Sequence, residues 1–296
     1  MADYRKILHM LSPLKHVSPF DINMAVDAGF DVVVPYTAVE PGEVTGLVQD
    51  AIFSRGPSGA KRTGVFIGGK NALVALDMLA AARKAMFPPF QISVMADPSG
   101  SFTTAAAMVA KVETHLSDRR WAGRRVCVFG GTGVVGFAAA AIAAGEGAKV
   151  ALVGYDGASR VQKLADDAKA RFGVELAGVD GSTDGLKAAL VKDAEVIFAA
   201  GRAGVPIVDA AQLAAATELK VAADVNAVPP AGVAGIGMQD DGKPLAGSGA
   251  VAIGPLAIGN IKYKVEAGLL RQMTETDKPL YLDFRDAFRL ARELVG

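Results

Sequence analysis

The stretch at residues 124–136 restricts the possible folds of this chain more than any other. A short apolar run ends there in glycines and is followed at once by an alanine-rich segment, which predicts a strand, a tight turn and a helix. Gly131, Gly133 and Gly136 have the spacing G-x-G-x-x-G. In that motif the first glycine permits the turn, the second lets the backbone approach a pyrophosphate, and the third lets the helix pack closely on the strand. The segment therefore predicts a dinucleotide site at the helix N-terminus, where free N–H groups and the helix dipole favour phosphate.

The next predicted strand, residues 149–156, ends in Tyr155 and Asp156, twenty residues after Gly136. A carboxylate there accepts a hydrogen bond from the ribose 2′-hydroxyl of NAD and repels the 2′-phosphate of NADP. Arg160 lies one helical turn further and is able to pair with that phosphate, so we expect both NAD and NADP to be used, with NAD preferred. The alternative is that Asp156 only begins an Asp-Gly turn. The predicted cofactor-binding residues are Gly131, Thr132, Gly133, Val134, Val135, Tyr155, Asp156, Arg160, Ala200, Gly201 and Asn226.

Composition limits the classes of partner. The chain has 296 residues, more than one hydrophobic core usually serves, so two domains are expected. Its 31 basic and 31 acidic residues cancel, which gives no reason to expect nucleic acid or an anionic membrane as a partner. No apolar run reaches the roughly 18 residues of a membrane span, and no basic-then-apolar leader follows the charged start, so a cytoplasmic location is expected.

The cysteine and histidine content favours neither a disulfide nor a metal site. The single cysteine, Cys127, lies in the strand before the glycines and is expected to be a small buried hydrophobic residue, not a nucleophile. The three histidines, His9, His16 and His115, are widely separated in the sequence. No metal site is therefore predicted.

Strands and helices alternate along the chain. Predicted strands at 6–11, 31–34, 63–67 and 90–95 are separated by helical segments, and strands at 149–153, 174–179, 195–199 and 219–224 continue the pattern. We expect an α/β protein of two α/β domains, the second a Rossmann-type doubly wound parallel sheet, with an interdomain cleft. Residues 229–254 are expected to form a surface excursion, broken at 240–244, with a last short strand. Residues 258–273 and 283–295 predict helices, the second with Asp283 as its N-cap.

Several stretches outside the glycine motif resemble one enzyme family. They are Ser-Pro-Phe-Asp at 18–21, Phe-Ser-Arg-Gly at 53–56, Phe-Ile-Gly-Gly at 66–69, and the segments 97–107, 223–230 and 258–264. With the glycine loop, they make the chain similar to the bacterial NAD(P)-dependent methylenetetrahydromethanopterin dehydrogenases of methylotrophs, in the branch that accepts NAD. The resemblance covers nearly the whole chain.

The resemblance implies a domain organisation and a reaction. Residues 1–105, completed by 275–296, would form a domain for a tetrahydromethanopterin-type pterin, and residues 106–274 a Rossmann domain. The implied reaction, in formaldehyde oxidation, is reversible hydride transfer from methylene-tetrahydromethanopterin to NAD(P)⁺, which gives the methenyl form in a cleft that closes. The implied assembly is a homo-oligomer.

This chemistry needs no essential acid or base. Removing hydride from a carbon between two nitrogens leaves a cation that the nitrogen lone pairs stabilise, so the protein must position the two reactants and exclude water. No Tyr in the chain is followed four residues later by Lys. That absence argues against a short-chain dehydrogenase mechanism, and against the cyclohydrolase activity of related folate enzymes.

Active-site residues follow from the resemblance. Lys262 matches a family lysine and is the candidate catalytic residue, positioning the pterin and cofactor rings; Lys264 lies about 200° away on a helix and would face elsewhere. The candidate substrate-binding residues are Asp21, Gly68, Gly69, Asp97, Ser101 and Thr103, which lie near predicted strand ends and helix starts. Asp97 is expected to accept hydrogen bonds from the amino and amide groups of a pterin. For each polar residue the alternative is an ordinary cap or turn.

Three other functions stay open. Tetrahydrofolate is the nearest alternative substrate, which would make the chain a methylenetetrahydrofolate dehydrogenase. A non-catalytic NAD(P)-binding sensor would keep the same glycine loop. A quinate- or shikimate-type dehydrogenase needs a Lys and Asp pair in the first domain, for which Lys15 with Asp21, or Lys61 with Asp97, are the candidates.

Overall fold

The computed structural model describes residues 4–296 and confirms an α/β protein with two largely parallel sheets. The chain divides into two compact units. Unit 1 contains the residues up to Thr103 together with Tyr263–Leu290, and unit 2 contains Thr104–Lys262 together with Ala291–Gly296.

Unit 1 is built on a five-stranded sheet. Its elements are β1 (Ile7–Leu11), α1 (Pro19–Asp27), β2 (Val32–Tyr36), α2 (Val44–Phe53), α3 (Gly56–Ala60), β3 (Thr63–Ile67), α4 (Ala72–Lys84), β4 (Ser93–Ala96), the start of α5 (Ser101–Thr114), most of α10 (Pro255–Glu275), β12 (Tyr281–Leu282) and most of α11 (Phe284–Val295). The strand order is β12-β4-β3-β1-β2 and every pairing is parallel. Strands β3 and β4 are buried along their whole length, as expected for a sheet with helices on both faces.

Unit 2 is built on a seven-stranded sheet. Its elements are the rest of α5, β5 (Arg125–Phe129), α6 (Val134–Gly145), β6 (Lys149–Gly154), α7 (Ser159–Phe172), β7 (Leu176–Asp180), α8 (Asp184–Asp193), β8 (Val196–Ala199), α9 (Ala210–Ala215), β9 (Val221–Asp224), β10 (Asp241–Pro244) and β11 (Val251–Ile253). The order β10-β11-β9-β8-β5-β6-β7 is the Rossmann order with one added antiparallel edge strand. The predicted doubly wound sheet is thus confirmed.

In each sheet the strand order reverses at one point. In unit 1 the chain passes from β1 to β2 on one side and then places β3 on the other side of β1. In unit 2 the chain passes from β5 through β6 to β7 and then places β8 on the other side of β5. A crevice opens outside the carboxyl ends of the strands at such a point, and ligands of open α/β sheets bind there.

The C-terminal part differs from the expectation in three places. Residues 240–244 were expected to be a break in the pattern, but they contain strand β10. The pairing of β10 with β11 shifts register between Asp241 and Lys243, at Gly242. Asp241 also forms an ion pair with Lys111 at 2.6 Å. Strand β12 was not predicted, because two residues are too short to show an alternating pattern. The expected domain bounds also differ, since residues 263–274 group with unit 1 and residues 291–296 with unit 2.

Two ion pairs join the last residues to the rest of unit 2. Arg292 contacts Glu113 at 2.7 Å and Glu146 at 2.6 Å.

The start of α11 is as predicted. The backbone N–H of Arg285 donates to the Asp283 carboxylate at 2.8 Å, so Asp283 is confirmed as an N-cap. Within residues 4–296 no helix has both the length and the apolar character that crossing a membrane requires.

Candidate active site

The glycine loop of unit 2 turns at Gly130. This residue has φ +80, and a Cβ built on it would lie 2.2 Å from the Ala200 carbonyl oxygen. The turn role predicted for Gly131 therefore belongs to Gly130, because only glycine takes this conformation without cost. Gly131 serves packing instead, since a Cβ there would lie 2.4 Å from Cγ of Leu152.

The other two motif glycines bring helix α6 close to the loop. Gly133 is the N-cap residue of α6 and is exposed. A Cβ on Gly136 would lie 2.5 Å from the Gly130 carbonyl oxygen, so only glycine permits this approach. The first N–H groups of α6 are thereby held beside the loop, which is the arrangement that binds a pyrophosphate.

A cavity of about 700 Å³ lies at the reversal point of the unit 2 sheet. It is bounded by the ends of β5 and β8, the glycine loop and the ends of β6 and β7. Five predicted cofactor residues line it: Thr132, Gly133, Tyr155, Ala200 and Gly201. Its size and position fit a dinucleotide.

Sequence reasoning missed a second set of residues that line this cavity. They are Phe129, Gly130, Val153, Gly181, Ser182, Lys187, Arg202, Val205, Pro206 and Ile207. Most of them follow the carboxyl ends of β7 and β8, so the rule that ligands bind at strand ends would have identified them in this domain too. Lys187 also forms an ion pair with Asp184 at 2.7 Å.

Three of the predicted cofactor residues form one exposed cluster at the end of β6. An Arg160 guanidinium nitrogen lies 2.8 Å from the Asp156 carboxylate and 3.3 Å from the Tyr155 hydroxyl. The hydrogen bond that Arg160 donates to the Asp156 carboxylate is the largest cause that raises the pKa of Arg160. Tyr155 is 70% exposed and lines the cavity, whereas Asp156 and Arg160 lie beside it at the surface. Arg160 therefore already contacts the carboxylate that was predicted to meet the ribose.

Asn226 holds the cavity wall and does not line the cavity. Its Oδ1 accepts hydrogen bonds from the backbone N–H groups of Gly204 at 3.2 Å and Val228 at 2.9 Å. Gly204 belongs to the loop at residues 201–207, five residues of which form the wall. Asn226 is positioned in turn by Asp224, which accepts its backbone N–H at 2.8 Å.

Asp224 is a buried carboxylate that organises the same region. It is 1% exposed and accepts two further backbone N–H groups, from Gly232 at 2.6 Å and Val233 at 3.1 Å. Burial is the largest influence on its pKa, which is raised from the usual value. The remaining predicted residues, Val134 and Val135, are the first residues of α6 and lie next to the cavity without lining it.

A second cavity, of about 470 Å³, lies in unit 1 at the reversal point between β1 and β3. Asp21, Gly68 and Gly69, all predicted substrate residues, line it. Asp21 stands in the first turn of α1 and is only 4% exposed. The other lining residues are Met10, Leu11, Ser12, Leu14, Lys15, His16, Val17, Ser18, Pro19, Phe66, Lys70 and Ser99.

Asp97 and Thr103 form a helix cap and do not line this cavity. Asp97 is 0% exposed and accepts the backbone N–H of Phe102 at 2.8 Å and the Thr103 hydroxyl at 2.6 Å. This is the cap role that sequence reasoning had kept as the alternative. This geometry does not favour the expected contact of Asp97 with a pterin, because the Asp97 carboxylate accepts hydrogen bonds from residues at the start of α5.

Ser99 takes the place that was expected for Ser101. Ser101 begins α5 and does not line the cavity, whereas Ser99 does. Ser99 has φ 54, which is uncommon for a residue with a side chain, and its hydroxyl donates to the Gly69 carbonyl at 2.7 Å. The cost of that backbone conformation is consistent with a functional position.

Comparisons with known proteins identify the family. The model of the family "Methylene-tetrahydromethanopterin dehydrogenase, N-terminal" matches residues 19–99. A protein of Methylorubrum extorquens, the NAD(P)-dependent methylenetetrahydromethanopterin dehydrogenase, is 53% identical over 295 residues, which is 99% of each chain. This chain belongs to that dehydrogenase family. The bifunctional protein MdtA of the same organism is a more distant relative, 33% identical over 291 residues, or 98% of this chain and 99% of MdtA.

Solved structures show that the fold of this family member is shared more widely. Ligand-free 5-ketofructose reductase of Gluconobacter is 17% identical with a TM-score of 0.57, over 99% of this chain and 100% of that one. Shikimate 5-dehydrogenase of Listeria monocytogenes, solved with shikimate and NAD, is 13% identical with a TM-score of 0.53, over 99% and 96% of the two chains. At these identities the likeness concerns the fold alone.

Lys262, the candidate catalytic residue, lies on α10. Lys262 is half-buried and Lys264 is exposed, so the two side chains differ in environment as the helical spacing predicted. Lys262 does not line either of the two cavities described above. Its catalytic role stays a prediction.

One of the two pairs considered for a shikimate-type reaction is present in a cavity. Lys15 and Asp21 both line the unit 1 cavity. The other pair is not formed, because Lys61 lies 3.8 Å from Asp277 and Asp97 caps α5. Within residues 4–296 no group of three or more His, Cys, Asp or Glu side chains is placed to hold a metal ion.

Proposed function

We propose that this chain catalyses reversible hydride transfer from methylene-tetrahydromethanopterin to NAD⁺ or NADP⁺, which gives methenyl-tetrahydromethanopterin. The observation that carries the proposal is the 53% identity over 99% of the chain to an enzyme named for this activity. The two cavities support it, because each lies where α/β sheets bind ligands.

Unit 2 supplies the dinucleotide site in this proposal. Gly130 and Gly136 leave no room for a side chain in the loop, so the start of α6 can approach a pyrophosphate. The nicotinamide ring accepts the hydride when the cofactor is bound. The protein's part is to hold the dinucleotide against the loop, with Asn226 and Asp224 fixing the wall at residues 201–207.

Unit 1 supplies the pterin site. Among the described residues, Asp21 is the one acidic side chain that lines its cavity, and a carboxylate there suits the amino and amide N–H groups of a pterin ring. This reassigns to Asp21 the role first expected for Asp97. No general base is needed for the hydride step, so Lys262 would position the rings and stabilise no new negative charge.

The test is nicotinamide reduction measured separately with the methylene forms of tetrahydromethanopterin and tetrahydrofolate, each with NAD⁺ and NADP⁺. Reduction with the first pterin, and much less with the second, supports the proposal. Faster reduction with the folate form would make the chain a methylenetetrahydrofolate dehydrogenase. Shikimate oxidation would favour the Lys15 and Asp21 reaction, and dinucleotide binding with no turnover of any substrate would favour a sensor.

We also propose a homo-oligomeric, cytoplasmic protein that needs no metal or flavin. The assembly is proposed from the family resemblance, and light scattering on a sizing column would measure it; a monomer at assay concentration would contradict it. Dialysis against a chelator should leave the activity unchanged. Loss of activity that a divalent metal restores would refute the metal-free mechanism.

A further inference from the structure

The mouth of the unit 1 cavity carries basic side chains that hydride transfer does not use. Lys15, His16 and Lys70 all line this cavity. The two lysines are exposed, while Asp21, an acidic residue that also lines the cavity, is buried. The cavity therefore has a buried carboxyl group inside and a basic rim, which we define as Lys15, His16 and Lys70.

Among residues 4–296, the rim lysines differ from Lys111 in their ion pairing. Within the part of the chain that the structure describes, neither Lys15 nor Lys70 lies within salt-bridge distance of an acidic side chain. Lys111, by contrast, is paired with Asp241 at 2.6 Å. Cations that line a cavity with low-dielectric walls attract an anionic ligand into it, because the walls focus their field.

The two strands that bound the reversal point both contribute to the rim. Lys15 and His16 follow β1, on the segment that leads into α1, and Lys70 directly follows Gly69 after β3. Ser18, the N-cap residue of α1, also lines the cavity and its side chain makes no cap hydrogen bond. The hydroxyl and the positive end of the α1 dipole add to the same preference for an anion.

We propose that the rim is a subsite for an anionic group, a phosphate or a carboxylate, on the side chain of the pterin substrate. The uncharged ring lies further in, beside Asp21, Gly68 and Gly69, and the charged side chain extends outward to the lysines. The subsite rests on the proposed function. It adds a requirement that the reaction itself does not impose, namely that the pterin carries a negative charge away from the ring.

The first experiment measures the affinity for tetrahydromethanopterin by titration calorimetry, and the KM for its methylene form. Lys15→Ala and Lys70→Ala should each weaken both by roughly fivefold, as expected for one exposed ion pair, and the double variant by more. Added KCl should weaken wild-type binding more than it weakens binding to the double variant. The KM for NAD⁺ and the melting temperature should not change.

The matched control is Lys84→Ala, which removes the same charge from an exposed position at the end of α4, away from the cavity lining. It should bind as the wild type does. Equal weakening by the control and the rim variants would show an effect of net charge and overturn the subsite. Unchanged affinity in the double variant would overturn it as well.

The second experiment uses 6-(anilinomethyl)tetrahydropterin, which keeps the ring and both bridging nitrogens and lacks the charged side chain. The wild type and the double variant should bind this probe with equal affinity. If the double variant instead lost as much affinity for the probe as for tetrahydromethanopterin, the lysines would act on the ring or on the fold, and the subsite would be wrong. Competition by inorganic phosphate or by glutamate in the wild type distinguishes the two anions. Absence of any pterin oxidation by the wild type would instead refute the proposed function.

Discussion

Replacing Gly136 with alanine tests whether dinucleotide binding depends on the close approach of α6 to the glycine loop. The new Cβ would lie 2.5 Å from the Gly130 carbonyl oxygen, 2.9 Å from its carbonyl carbon and 3.1 Å from Cα of Gly131. All three atoms belong to the backbone, so no side-chain rotation relieves the contact. The first distance is about 0.9 Å short of ordinary contact at 3.4 Å, and α6 must move away from the loop by a comparable amount.

The size of the effect follows from two opposing contributions. Overpacking of this kind costs about 1–3 kcal/mol, and alanine in a helix is about 1 kcal/mol better than glycine. We therefore expect the free energy of unfolding to fall by up to about 2 kcal/mol. Displacing the first N–H groups of α6 weakens hydrogen bonds to a charged pyrophosphate, so NADH affinity should fall by roughly tenfold or more.

Gly145 provides the control on the same helix. The nearest atom to a Cβ at that position is Cγ1 of Val174 at 3.8 Å, an ordinary contact. Gly145→Ala should raise the free energy of unfolding by up to about 1 kcal/mol and leave NADH binding unchanged. Urea unfolding and NADH fluorescence titration measure both quantities. If Gly136→Ala bound NADH as tightly as the wild type and were no less stable, the close approach would not be what the motif requires.

The remaining predictions concern hydride transfer, cofactor choice and the cysteine. Lys262→Met should lower the single-turnover hydride-transfer rate by about a hundredfold with little change in melting temperature, while Lys264→Met changes neither; equal effects would refute the assignment. Asp156→Ala should lower kcat/KM for NAD and raise it for NADP, and Arg160→Ala should selectively lower it for NADP; an unchanged ratio in Asp156→Ala would leave only the turn role. Burial raises the pKa of Cys127 to about 12, so the reactive thiolate form is scarce at pH 8. Iodoacetamide should therefore label this thiol only after the protein is unfolded in urea. Rapid labelling of the native protein would contradict this prediction.

The sequence predicted most of the architecture because its strands are short apolar runs between helical patterns. Strands β1, β3 and β8 were predicted within one residue of their bounds. Such regular alternation leaves few arrangements other than a parallel sheet with helices on its faces. The edge strands β10 and β12 lack this signal, since one contains Asp-Gly and Pro and the other has two residues.

The candidate site was harder to predict because caps and ligands use the same residue types. Asp97 precedes a helix and follows a strand, which suits both roles, and only the structure shows its carboxylate on Phe102 and Thr103. Ser99, and not the predicted Ser101, lines the cavity because Ser99 has a left-handed backbone conformation, which the sequence does not indicate for a serine. Contacts between distant segments, such as Asn226 with Gly204, have no local signature.

The discontinuity of unit 1 has a consequence for synthesis of the chain. Strand β4 acquires its outer neighbour β12 only when residues 281–282 have been made, after the whole of Thr104–Lys262. Until then the nascent first sheet has an open edge of unpaired N–H and C=O groups, which is able to pair with other chains. The early-made β1–β4 segment therefore keeps an open sheet edge at β4 until translation reaches β12.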